Sequence, residues 1–335
     1  MQHQYVERHS GRVCTEELLA DPLVRWLYHP VREHAPSLFR LFTGARASAA
    51  LAFLQYDSLL ARRLDEPLAT MQRLGIDVNE CLEAPQSLRS PRQIFERKLR
   101  FEECRPMVES AETVVSPADA RVLVGSLKEN FGLFIKGKFF DLDELLGEQG
   151  DWRGVFAAGD FAIFRLTPDK YHYNHTPVAG RVIDIYGLDG CYHACNPAAM
   201  VREVTSLSRN RRVVTIIDTD LPGGSGVGLV AMIEVVALMI GRIEQCYSSR
   251  GYADPQPVEP GLWLEKGQPK SLYHPGSSTD ILLFEPGRVR MASDLLDNQQ
   301  RSDVFSRFSA GFGLPLVETE LTVRSPLAFC RRRRP

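Results

Sequence analysis

The chain has 335 residues, enough for one large domain or two smaller ones with a substantial core. A composition of 44% hydrophobic and 24% charged residues excludes a low-complexity chain, and a formal net charge of -2 argues against a nucleic-acid partner. The seven cysteines are odd in number and mostly far apart, and no apolar leader opens the chain, so a reducing, cytoplasmic setting is expected.

Residues 1–20 are polar and read as loosely ordered. From 21 to about 64 the apolar residues recur at helical spacing. Leu23, Trp26 and Leu27 share one face and Leu38, Leu41 and Phe42 another, with Pro30 and Pro36 dividing the segment. The stretch 47–60, ASAALAFLQYDSLL, is a strong helix former, and Ser90-Pro91 opens a further helix. After about Pro106 the pattern changes. Short β-branched or alternating runs at 113–115, 121–124, 161–166, 180–185, 212–217 and 227–236 are separated by Gly, Pro, Asn or Asp, and only 142–146 looks helical. The expected architecture is α+β: a helical N-terminal region, 1–105, followed by a β-rich, mainly antiparallel catalytic domain, 106–335. The apolar run 227–243 is broken by Glu234 and Arg242 and is short for a membrane span. The four arginines at 331–334 read as a solvated tail, with an anionic membrane as the sharper alternative.

Several short motifs carry candidate chemistry. Ser116-Pro117-Ala118-Asp119-Ala120 has the composition of a turn with a capping Asp. Tyr171-His172-Tyr173-Asn174-His175 brings together two imidazoles able to exchange protons near neutral pH, but no third metal ligand stands at a convincing spacing. Cys191-Tyr192-His193-Ala194-Cys195 lacks the second half of a metal cluster. The glycine-rich 223–228 lacks the Lys-Ser/Thr pair and the following helix of a phosphate loop, and reads as a hairpin connection. Gly276-Ser277-Ser278-Thr279 is a hydroxyl-rich segment just ahead of the apolar run Ile281-Leu282-Leu283-Phe284.

Taken in order, Ser-Pro-Ala-Asp, then Ile135-Lys136-Gly137-Lys138-Phe139-Phe140, then Tyr-His-x-x-His-x-Pro, then Lys266-Gly267-Gln268 with Gly-Ser-Ser, resemble the phosphatidylserine decarboxylase family of self-processing, pyruvoyl-dependent enzymes. The likeness runs from about Ser90 to Val289. It places the family's Asp-His-Ser triad on Asp119, His175 and Ser277, and the scissile bond between Gly276 and Ser277. His172 falls on the other motif histidine, a candidate for proton transfer to the substrate. Counting back from Phe284 instead places the reactive position on Ser278, so a Ser277–Ser278 scission is the alternative. Asp119 is followed by Ala120, where the family usually has Gly.

The resemblance implies that His175, oriented by Asp119, takes the Ser277 proton, and that the chain splits into fragments 1–276 and 277–335, which stay together as a heterodimer. Ser277 would become a pyruvoyl group whose ketone accepts the electrons of decarboxylation. No metal is implied. The family's substrate is a membrane phospholipid, phosphatidylserine, converted to phosphatidylethanolamine and CO2. A peripheral membrane location is therefore expected, with Leu38, Leu41 and Phe42 beside Arg40 and Arg46 as the candidate contact. A soluble amino acid as substrate and an unprocessed, membrane-binding member are the alternatives, and assembly into a homo-oligomer is left open.

Overall fold

The computed structural model describes residues 2–18, 21–44, 47, 50, 66–128, 139–203, 205–238, 242–276 and 278–331. Its strands are β1 Gln4–Glu7, β2 Val13–Thr15, β3 Thr113–Val115, β4 Ala120–Ser126, β5 Asp160–Leu166, β6 Tyr173–His175, β7 Gly180–Leu188 and β8 Arg212–Asp218. They continue as β9 Leu229–Val236, β10 Ile243–Gln245, β11 Trp263–Leu264, β12 Pro269–Tyr273, β13 Ser278–Phe284, β14 Val289–Met291, β15 Thr319–Leu321 and β16 Pro326–Cys330. Ten form one sheet in the order β11-β7-β8-β9-β13-β5-β4-β15-β1-β2, and two three-stranded sheets, β10-β12-β6 and β14-β16-β3, accompany it. Among the described residues, every pairing between these strands is antiparallel except β1 with β15. The α+β class and the antiparallel core expected from the sequence are thus present, and all six β-runs read there are strands.

Strand β13 explains the layering. All seven of its residues are buried, and it pairs along its full length with β5 on one side and β9 on the other. Its side chains alternate between two cores. Leu282 and Phe284 join Val122, Phe164 and Met232 on one face, while Ile281 and Leu283 join Leu123, Phe161 and Ile233 on the other.

Two expectations fail. Residues 1–20 are not loosely ordered throughout, because β1 and β2 extend the main sheet. The alternating pattern there is polar, but His3 and Glu16 are drawn inside by partners from far along the chain. Glu318 accepts from His3 at 2.8 Å, and Arg165 contacts both Glu16 and Glu318 at 2.6 Å. Helices also recur after residue 106, at Trp152–Phe156, Pro197–Arg202, Ser206–Arg209, Ser293–Gln299 and Arg307–Phe312, besides the expected Leu142–Leu146. None exceeds two turns, too few for a 3.6-residue period to register. Some rest on local caps instead: the Asn196 side chain accepts from the Ala198 N–H, and Ser306 from Ser309.

In the N-terminal part the helices Asp21–Trp26, Pro36–Phe42, Pro67–Arg73 and Pro91–Phe95 agree with the helical reading. Ser90 caps the last of these by accepting from Gln93 N–H, with Pro91 in the first turn. Most of 47–60, Arg46 and 135–138 lie outside the described residues. No described helix is long and apolar enough to cross a membrane. The 223–228 segment connects the antiparallel strands β8 and β9, as expected for a hairpin.

Candidate active site

Three chain segments meet here, the first being the histidine motif 171–175 itself. The turn from Ser116 to Asp119 presents its Pro117 carbonyl to the His175 N–H at 2.7 Å. Ala120 begins β4 without a left-handed φ, so its Cβ is tolerated where glycine was expected. The third segment is the 265–268 turn before β12. Gly267 there has φ +77°, a left-handed conformation that favours glycine, and a Cβ on it would stand 2.5 Å from the Met107 sulfur, which would have to move.

The His175 ring is fully buried. Its Nδ1 lies 2.8 Å from the Gly267 carbonyl, which can only accept, so Nδ1 carries the proton and Nε2 the lone pair. Nε2 lies 2.9 Å from the Tyr171 hydroxyl, which lies 2.7 Å from that of Tyr252. Phe101 packs edge-on against the ring at 4.8 Å.

His172 follows the same logic. Its Nδ1 donates to the Lys170 carbonyl at 2.8 Å, and its Nε2 is buried without a partner. Phe95 stacks on it with ring centroids 3.6 Å apart. Burial first, then the Arg97 cation, depress the His172 pKa to about 3, and burial depresses that of His175 to about 4. Both rings are therefore neutral at pH 7 and can accept protons.

Asp119 is also buried, and its oxygens do not contact His175. Arg105 grips both of them at 3.1 and 2.8 Å, and the Val323 N–H donates to one at 2.7 Å. Arg105 also spans to Glu80 at 2.7 and 2.8 Å. Burial alone would raise the Asp119 pKa, but the charge and hydrogen bonds of Arg105 outweigh it and keep the carboxylate ionised. Asp119 thus does not orient the ring, which Gly267 and Tyr171 hold instead; its charge favours the imidazolium only through space, against the cations of Arg324 and Arg105.

The proposed scission point lies between two sheets. Strand β12 ends at Tyr273 in one, β13 begins at Ser278 in another, and buried Pro275 and Gly276 lie between. Tyr273 N–H donates to the His172 carbonyl at 3.0 Å, which ties the approach to this junction to the histidine motif. Gly276 has φ +154°. Ser277 lies outside the described residues. Ser278 is buried, and its Oγ has no partner. On the same face of β13, Asp280 stands opposite Glu234 and receives the Tyr273 hydroxyl at 2.7 Å. Burial, then the Glu234 charge, hold Asp280 neutral, while buried Lys270 pairs with Glu234 at 2.9 Å.

The other motif clusters lead elsewhere. His193 sits 3.5 Å from the Tyr28 hydroxyl and stacks on Phe39, away from His172 and His175. Among the described residues, the metal-type cluster that converges is His3, Glu16 and Glu318, and arginines already hold its carboxylates.

This arrangement can be compared with known proteins. The family model described as phosphatidylserine decarboxylase matches residues 92–310, well over half of the chain. The chain is 30% identical over 298 residues to a phosphatidylserine decarboxylase proenzyme of Chlamydia pneumoniae, covering 89% of this chain and 92% of that one. It is 26% identical over 304 residues to a proenzyme of the same description from Fusobacterium nucleatum, covering 89% and 92%.

The chain belongs to the phosphatidylserine decarboxylase family. That places it among the carboxy-lyases. The matched span begins within two residues of the start read from the motifs and runs past their end, to residue 310.

Sequence reasoning missed Arg105, Phe95, Phe101, Tyr252 and Arg97, which close over the histidines from the N-terminal region and from the β10–β11 connection. Only Ser90-Pro91, as a helix start, hinted that Phe95 would be held in place. Tyr171 stood in the motif without an assigned role.

Proposed function

We propose that the protein is a proenzyme that cleaves itself at Gly276–Ser277 and then decarboxylates phosphatidylserine to phosphatidylethanolamine, using a pyruvoyl group made from Ser277. The observation that carries this reading is the division between two buried neutral histidines: His175 Nε2 is held by a hydroxyl, and His172 Nε2 is free.

In self-cleavage His175 is the base, with its lone pair on Nε2 because Nδ1–H is committed to Gly267. Asp119, kept ionised by Arg105, stabilises the imidazolium that forms. Ser277 Oγ attacks the Gly276 carbonyl carbon, the C–N bond breaks, and an ester replaces the peptide. Loss of the Ser277 Cα proton expels the Gly276 carboxylate. Water then releases ammonia and leaves the pyruvoyl group at the new N-terminus. The surroundings suit such a group: it would head a fully buried strand, reached by a segment that Tyr273 N–H ties to the His172 carbonyl. When present, it supplies an electron-accepting carbonyl for loss of CO2 from an amine-bearing carbon. His172 Nε2, unprotonated at rest, would take a proton given up by the substrate's ammonium group and then return it to that carbon. Phe95 and Phe101 exclude water from the two rings.

A second reading takes Ser277–Ser278 as the scission point. It is favoured by the buried, unpartnered Ser278 Oγ at the head of β13. In both readings the region 1–105 meets the lipid, where Leu23, Trp26 and Leu41 are exposed.

Intact mass under denaturing conditions tests the proposal. Two fragments are expected, the smaller beginning with a pyruvoyl group whose mass identifies residue 277 or 278. A single full-length species would overturn it. Release of CO2 from phosphatidylserine vesicles, but not from free serine, is expected of the processed protein; the reverse would make a soluble amino acid the substrate.

A further inference from the structure

Buried arginines in this molecule are mostly neutralised. Arg105, Arg121 and Arg165 each meet carboxylates. Arg212 does not, but each of its nitrogens donates to a backbone carbonyl. Arg97 differs from all of these. It is 5% exposed and forms no ion pair with a described carboxylate. Its two terminal nitrogens donate to the carbonyls of Ile94, at 3.0 Å, and Asp169, at 2.8 Å, and its Nε has no partner. A buried cation without a counter-ion is costly, several kcal/mol in typical proteins.

The position of this cation matters. Arg97 hangs from the carbonyl of Asp169 and His172 from that of Lys170, the next residue. Phe95, two residues before Arg97, stacks on His172. Arg97 is the neighbouring charge that most depresses the His172 pKa, against weaker opposite effects of Asp169 and Asp119. Two buried polar atoms without partners, Arg97 Nε and His172 Nε2, therefore belong to one local unit. Arg324, which also has an unpartnered Nε, acts instead on His175 and lies over the Phe101 ring.

We propose that Arg97, beside His172, is the subsite that receives an oxyanion of the amine substrate, with Nε–H donating to it. The inference rests on the decarboxylase reading and names the group that recognises the substrate's negative charge. A guanidinium suits this task because it stays charged when desolvated and donates in a fixed plane. The anion would offset the Arg97 charge, which adds to burial in keeping His172 unprotonated, so filling the subsite helps His172 to hold the proton it later delivers. The oxyanion is either the phosphodiester or the carboxylate of the substrate, and the two can be told apart because the decarboxylated product keeps only the phosphodiester.

The test uses processed protein, with cleavage first verified by intact mass. Arg97→Gln should raise KM for a short-chain phosphatidylserine by about 10- to 100-fold, the range for losing a charged hydrogen bond, and change kcat less. Arg97→Lys should recover part of the loss, while Arg324→Gln should not reproduce it. If the phosphodiester is the ligand, inhibition by sn-glycero-3-phosphoethanolamine weakens in parallel; if the carboxylate is, that inhibition is unchanged. In the unsubstituted protein, saturating sn-glycero-3-phosphoethanolamine or, for the carboxylate, acetate should raise the His172 pKa read from imidazole ¹⁵N shifts, which needs no variant to fold. Unchanged KM in Arg97→Gln, or no movement of His172 with either anion, would overturn the proposal. Protein that never cleaves or releases CO2 would instead refute the decarboxylase reading itself.

Discussion

His175 Nε2 lies 2.9 Å from the Tyr171 hydroxyl, and the base of the proposed self-cleavage is therefore bound to a group that can reverse its direction. Tyr171 can donate to the imidazole while accepting from Tyr252. It can also accept from a protonated ring while donating to Tyr252, which then donates to the Leu99 carbonyl at 3.1 Å. A buried histidine can thus change charge without leaving a donor stranded.

Tyr252→Phe removes the far end of this chain and leaves Tyr171 with one good direction. Self-cleavage should slow about tenfold, the value of one hydrogen bond, with only a small loss of stability. Time courses of fragment appearance check this. A rate equal to that of the unsubstituted chain would reduce the tyrosine pair to packing.

The two histidines should separate by function. His175→Ala should stay uncut. His172→Ala should cleave but release CO2 at least a hundredfold more slowly, as expected for loss of a general acid. Mass spectrometry and CO2 release on the same samples would show it, and full activity in His172→Ala would transfer proton return to another group.

Arg105→Gln should destabilise the fold by about 3–5 kcal/mol, because Asp119 would be left buried without its cation. The pKa of Asp119 should rise with it, and cleavage should fail at neutral pH. Urea unfolding measures the first effect, and a stability within about 1 kcal/mol of the parent would contradict the ion-pair account.

Stability should fall as pH drops below about 6.5. His172, His175 and His193 have folded pKa values of about 3, 4 and 4, below the ordinary 6.5, so the unfolded chain takes up these protons first. Asp280 is held neutral in the fold and acts oppositely in this window. Three protons less one leaves about two, or about 3 kcal/mol per pH unit near pH 5. Urea midpoints at pH 7, 6, 5.5 and 5 would reveal the decline, and a flat series would show that the rings are not buried neutral in solution.

Trp26, Leu23 and Leu41 are 49, 62 and 61% exposed, respectively. Replacing all three with Ser should weaken binding to anionic vesicles by at least tenfold, from about 1 kcal/mol or more per side chain, and leave self-cleavage intact. Vesicle co-sedimentation decides it; unchanged binding would move the contact elsewhere.

The strands were legible because β-branched runs such as 212–217, bounded by Asn210 and Asp218, carry strand preference along their whole length. The short later helices were not, since a capped five- or six-residue turn such as Pro197–Arg202 leaves no period to read. Strand β1 was hidden because its buried neighbours, Glu318 and Arg165, lie far away in the chain. At the site, Asp119 and the two histidines stood out through motif order. Arg105 carries no mark in the sequence of its grip on Asp119, and Phe95 none of its stack on His172. These are tertiary contacts that no local pattern encodes.

Strand β13 lies in the interior of the main sheet, between β5 and β9, with the proposed cut just before it. Scission there would make two polypeptides joined by the ladders of β13 to β5 and β9 and of β15 to β4 and β1. Dilution would not part them, and neither would be expected to fold when expressed alone. The smaller piece would offer a bare apolar strand with two open edges, a template for aggregation. Joining would therefore have to precede cutting: the uncut precursor would be the assembly pathway of the two-chain product.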